Sequence, residues 1–175
     1  MSILENVQES LGPSEISQIA DQLGIDPQSA ERAVAAAVPM VVGGMAGHAT
    51  QSPEAASDLH EAMQTHAAAM DDVSESVQAP PPPSGFLNRI FGSHQETVQQ
   101  GIQHASGLAL DKVKQLVSMV SPIVLSALAR HKNAPSSGDQ TAPQQVSNLL
   151  QQEAQTAQQQ APHLSGTLGK LLSAF

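Results

Sequence analysis

The sequence predicts an all-α, multihelical fold: two tandem homologous four-helix units packed as one pseudo-symmetric domain. Three observations lead there. The chain aligns with itself at a spacing of 83 residues, placing Ile19 on Ile102, Gly24 on Gly107, Val34 on Val117, Pro39 on Pro122, Val41 on Val124, Ala46 on Ala129 and His48 on His131. A shared Gly, mid-helix Pro and terminal His at one offset mark a duplicated unit. Apolar residues recur at helical rather than alternating spacing. Gly, Pro and small polar residues stand where helices start and stop.

The elements follow in order. Residues 3–10 form a short helix that Gly12-Pro13 ends. Ser14 is read as the N-cap of a second helix over 15–23, stopped by Gly24. Asp26-Pro27 is a strong start signal for a third helix. Its apolar positions run Ala30, Ala33, Val34, Ala37, Val38, Val41, Val42 and Met45. Pro39 lies inside this run and is expected to kink it. Gly43 and Gly47 share one face and predict a smooth surface for close helix packing. Gln51-Ser52-Pro53 breaks the chain, and Glu54 to Met70 is the fourth helix, with Ala55, Leu59, Ala62, Met63 and Ala67 inward.

Residues 1–72 thus make the first repeat, and 73–85, with Pro80 to Pro83, a Pro-rich linker read as a semi-rigid spacer. The second repeat, 86–163, carries helices over 86–91, 96–105, 111–130 and 144–160, the long one kinked at Pro122. Insertion of 132–141 displaces its fourth helix, whose outer face is rich in Gln. A C-terminal helix falls in 164–175. Ala, Val and Gly line the first long helix, and Leu, Ile and Val the second. Small against large predicts that the two interdigitate in one core.

Composition narrows the function classes. There is no Cys, Trp or Tyr. Disulfides, thiol catalysis and thiolate metal sites are excluded, and base-stacking platforms are poor. The longest apolar runs, 33–47 and 116–129, fall short of the roughly 20 residues of a membrane span. The first residues lack a basic segment followed by an apolar one, so no signal peptide is read and a cytoplasmic location is expected. Charge is segregated. Residues 1–75 hold twelve acids against the single base Arg32, a net −11; residues 76–175 hold four acids against six bases, a net +2. Such halves attract, within a chain or between chains.

Ile16 to Ile25, the Ala-rich helix with Val38-Pro39-Met40 and Gly43-Gly44, and Ser106-Gly107-Leu108 followed by Val120 to Val124 together resemble the YidB-like family, a bacterial domain of unknown function. The resemblance covers roughly residues 10 to 131 and implies a helical fold. It brings no catalytic residues to carry over. The chain departs from the family pattern in its proline spacer and its Gln-rich C-terminal helix.

No arrangement of residues predicts catalysis. Ala20, Gly24, Ile25, Ala30 and Ala33 fit a helix-turn-helix corner. On the first copy Asp26 and Glu31 would oppose phosphate; on the second, Lys112, Lys114 and Gln115 are the candidate nucleic-acid contacts. The seven His are scattered, and His60 and His66 lack zinc-protease spacing. His48 and His131 fit helix C-termini, where a cation is favoured. Asp71, Asp72 and Glu75 lack calcium-loop spacing. The expectation is a non-enzymatic helical interaction or assembly protein, self-associating or bound to a protein partner. No metal, cofactor or small-molecule substrate is expected, and neither nucleic acid nor membrane is the favoured partner. The alternative is a helix-turn-helix nucleic-acid-associated protein.

Overall fold

A computed structural model describes residues 3–66, 71, 73–78, 80, 85–132, 142–160, 166, 169 and 170. The protein is all-helical, with no strand among the described residues. The helices are α1 (Ile3–Ser10), α2 (Pro13–Leu23), α3 (Pro27–Gln51), α4 (Pro53–Thr65), α5 (Val73–Gln78), α6 (Phe86–Phe91), α7 (Gln95–Ser106), α8 (Leu110–Lys132) and α9 (Ala142–Gln160), with a 3-10 turn over Gly92–His94.

Local chemistry sets most boundaries. Pro13, Pro27 and Pro53 each open a helix, where the missing amide costs nothing. The Asp26 carboxylate accepts from the Ser29 amide at 3.0 Å, and the Ser52 hydroxyl oxygen from the Ala55 amide at 3.1 Å. These hydrogen bonds supply orphan donors at the two N-termini. The expected cap at Ser14 is displaced. α2 starts at Pro13 with Gly12 outside it, and Ser14 lies within the first turn. Proline at the first helical position takes precedence over a capping hydroxyl one residue later. α4 ends at Thr65, capped by His66, and the expected stretch 67–70 lies outside the described residues. Ala55, Leu59, Ala62 and Met63 are buried as expected, and Ala67 lies outside the described residues.

The linker contains a helix that composition did not suggest. α5 buries Val73 and Val77. It is tied to α2 by Gln18 donating to the Ser74 hydroxyl at 2.7 Å and by Gln22 donating to the Val77 carbonyl at 2.8 Å. Two valines four apart were the available signal. Pro81 to Ser84 and most of 164–175 lie outside the described residues.

One buried apolar cluster runs from Ile3 in α1 to Ala157 in α9 and draws on both halves. α3 is its axis, packed against α1, α2, α4, α6, α7, α8 and α9. Every residue from Ala36 to Gly47 is buried, as a helix apolar on all sides requires. α3 and α8 do touch, as the small-against-large pattern predicts. α3 nevertheless packs more extensively on α7 and α9 than on α8. Both long helices are apolar enough to cross a membrane by length and composition, yet 83% of the apolar stretch of α3 and 67% of that of α8 is buried inside the protein.

Candidate interaction site

The α2–α3 corner is built by its own sequence. Gly24 adopts the left-handed conformation at φ 62°. The Ile25 amide reaches back to the Ala20 carbonyl at 3.0 Å and the Gly24 amide to the Asp21 carbonyl at 3.3 Å. This is the Schellman termination, and only glycine enters it without steric penalty. Asp26 then caps α3. Hydrogen bonds from Ser29 hold the Asp26 carboxyl below its usual value.

The second half reaches into this corner. The Lys112 ammonium, from the first turn of α8, donates to the Leu23 carbonyl and approaches the Gly24 carbonyl at 3.5 Å. A cation on the last carbonyls of a helix satisfies orphan acceptors and complements the helix dipole. Lys112 was a candidate nucleic-acid contact; here its charge is engaged inside the protein. Lys114 and Gln115 are exposed on α8. They stand there without the neighbouring cation that the expected contact set included.

The corner's outer surface is acidic. Asp21, Asp26 and Glu31 are exposed on it, with Arg32 as the basic neighbour. Three second-half bases meet the first half within the chain. Arg89 pairs with Glu61 at 2.7 Å and Asp58 at 3.5 Å. Arg130 pairs with Asp71. Lys112 closes the α2 terminus. The charge difference between the halves is therefore used in part to hold them together. The exposed ion pairs contribute little each, about 0–1 kcal/mol.

The helix-packing residues fall at the core. Pro39, Gly43 and Gly47 are all buried in α3, and Pro122 lies half-buried inside α8. Each proline sits within a continuous helix and removes one amide donor. A tight approach is found at Gly44, beside the Gly43 and Gly47 of the spacing argument. A Cβ there would lie 2.4 Å from Val98 Cγ2 in α7 and 2.9 Å from Phe91 Cδ1 in α6.

A second feature, missed in the sequence, is a polar contact at the α3 C-terminus. The Gln51 amide nitrogen lies 2.8 Å from His94 Nε2 and donates to the Ser93 hydroxyl at 3.2 Å. The His48 ring packs on Gly92, where a Cβ would come within 2.5 Å of Nδ1. Gly92 also has φ 52°, so both space and backbone favour glycine. Burial, and then the nearby His48, lower the His94 pKa. His48 does lie in the last turn of α3, as the dipole argument expects. Among the described residues, no three His, Cys, Asp or Glu side chains are grouped to hold a metal ion.

Residues 5–131 match the family model described as bacterial protein of unknown function (DUF937), and the chain belongs to that family, in agreement with its YidB-like motifs. Comparison with curated proteins and with solved structures gave no match.

Proposed function

We propose that this protein is a non-enzymatic helical interaction and assembly protein of the bacterial cytoplasm. Its two four-helix units, α1–α4 and α6–α9, are read as one pseudo-symmetric domain. Supporting that reading, α3 and α8 start 83 residues apart and each follows a left-handed glycine, Gly24 or Gly107.

The observation that carries the function is the disposition of charge. Exposed acids gather on the α2–α3 corner while three of the second half's bases are engaged within the chain. What the corner offers outward is an acidic surface suited to a basic protein face. It is a poor surface for phosphate, because nucleic-acid affinity rests on cations that neutralise the backbone. Of the three candidate nucleic-acid contacts, Lys114 and Gln115 remain outward on α8.

Light scattering across a salt series tests this reading. Screening shortens from about 10 Å at 0.1 M to about 3 Å at 1 M. Oligomers that shrink with salt support self-association through the acidic face. A monomer of constant mass that retains a basic protein at low salt supports a heterologous partner. Tight, sequence-dependent DNA retention at about 0.15 M salt would overturn the proposal.

A further inference from the structure

The 3-10 turn Gly92–His94 joins two side chains that pack on the axis of the protein. Phe91 precedes the turn and Val98 follows it near the start of α7, and both are fully buried. Both lie directly against the α3 backbone at Gly44, so a movement of the turn moves them too.

The turn is secured to the end of α3 through two histidines. His94 is only 6% exposed, and its Nε2 lies 2.8 Å from the Gln51 amide nitrogen. That nitrogen also donates to the Ser93 hydroxyl at 3.2 Å. With the amide nitrogen donating to both, His94 accepts on Nε2 and its ring is neutral. His48 packs on Gly92, and its Nδ1 is buried with no hydrogen-bond partner. Protonating His94 would place a charge in a buried site beside a second histidine. It would also place it at the N-cap of α7, where a cation is disfavoured.

The surrounding charges do not relieve this. The turn packs on α3, α6 and α7, with α4 and α9 adjoining the end of α3. Arg89 of α6 is a further cation and takes up Asp58 and Glu61 of α4. Glu54 is exposed where α4 begins, and Glu96 of α7 is exposed and accepts from Gln100 at 3.0 Å. Glu153 of α9 accepts from the Ile3 amide at 3.0 Å. Glu31 and Arg32 of α3 and His104 of α7 lie toward the opposite ends of their helices. His66 caps α4 against the Phe86 ring. Burial, and then His48, lower the His94 pKa.

We propose that the Gly92–His94 turn is an acid-sensitive latch. Neutral His48 and His94 hold Phe91 and Val98 on Gly44, and proton uptake at His94 releases the turn and uncovers both side chains. The latch is separate from the acidic corner and holds whatever partner that corner meets. Its sign follows from burial. In the open turn the His94 ring is solvated and titrates near its ordinary value of about 6.5. In the closed turn it takes the proton at lower pH. Below about 6.5 the open form therefore binds more protons, and opening rises by up to about tenfold per pH unit until the closed ring titrates too.

Amide hydrogen exchange of the full-length chain from about pH 7.5 to about pH 5.5, corrected for the intrinsic rate, tests the latch. Opening across residues 86–98 should rise severalfold, up to about tenfold, while α2 stays level. His94→Gln should flatten the rise, and His66→Gln should leave it in place. NMR of the parent needs no variant to fold: the His94 ring signal should titrate below 6.5, in step with the exchange. Opening of 86–98 that does not change with pH overturns the proposal. So does a rise that persists in His94→Gln and disappears in His66→Gln, which would assign the response to the α4 cap.

Discussion

The two long helices, α3 and α8, are entered through matching corners but are secured differently. At the first corner the backbone closes with two hydrogen bonds around Gly24, Asp26 caps α3, and Lys112 adds a cation from outside. At the second, Gly107 at φ 72° makes one bond, its amide to the Gln103 carbonyl at 2.8 Å. Ser106 donates to the Ile102 carbonyl at 2.6 Å, and Ala109, before α8, has no side chain that caps. The interiors are opposite again. α3 admits α6 and α7 at Gly44, whereas α8 fills space with Leu116, Ile123, Leu125 and Leu128. The two corners thus share a left-handed glycine turn while their packing and capping differ, because a left-handed turn is a local requirement and a packed surface is a joint one.

Substitutions that act on one side of this comparison would sharpen it. The largest effect is expected at Gly44. Gly44→Ala places a Cβ against Val98 and Phe91 and should destabilise by about 1–3 kcal/mol, read from the denaturation midpoint. Adding Val98→Ala should recover part of the loss, because the two sites share one contact. An unchanged midpoint in the single variant would refute the close approach.

The turns come next. Gly24→Ala and Gly107→Ala each force a side chain into left-handed backbone and should each cost about 1–2 kcal/mol. Equal losses would show the turns to be equivalent despite their different hydrogen bonding. A Gly107 loss near zero would mean that the second corner relaxes to another termination.

Lys112→Met keeps the stem and removes the charge. With the ammonium part-exposed, we expect a loss of about 1 kcal/mol by chemical denaturation. Lys114→Met, on the exposed face, should stay within about 0.5 kcal/mol of the parent. Equal effects would remove the cross-half clamp.

Ala109→Asp should transplant the missing cap and stabilise by about 0.5–1 kcal/mol, visible as a raised melting temperature. No gain would place the start of α8 under packing control alone.

The smallest effect concerns pH. Burial lowers the His94 pKa in the folded protein below its ordinary 6.5. The unfolded chain then takes up the proton first as pH falls. Stability from this group is full above about 6.5 and declines below it, through the window down to the folded value. His94→Gln should make the midpoint less sensitive between pH 7 and 5. His66, lowered by burial too, keeps a residual slope. An unaltered slope would show that His94 does not titrate in that window.

The sequence by itself determined the helical class and the identities of the turns. Gly24, Asp26-Pro27, Ser52-Pro53 and Gly107 act within a few residues of themselves, so their chemistry is readable in one dimension. The apolar run of α3 announced a helix buried on all sides. The linker helix α5 was hidden because six residues beside four prolines carry too little periodicity, and its tie to Gln18 and Gln22 is made across space. Only the tertiary structure decided that Lys112 turns inward, that Gly44 lies against Val98 and Phe91, that Gln51 meets His94, and that Glu153 reaches the first turn of α1. Each of these depends on a partner more than forty residues away, and no local spacing encodes which distant surface a side chain will meet.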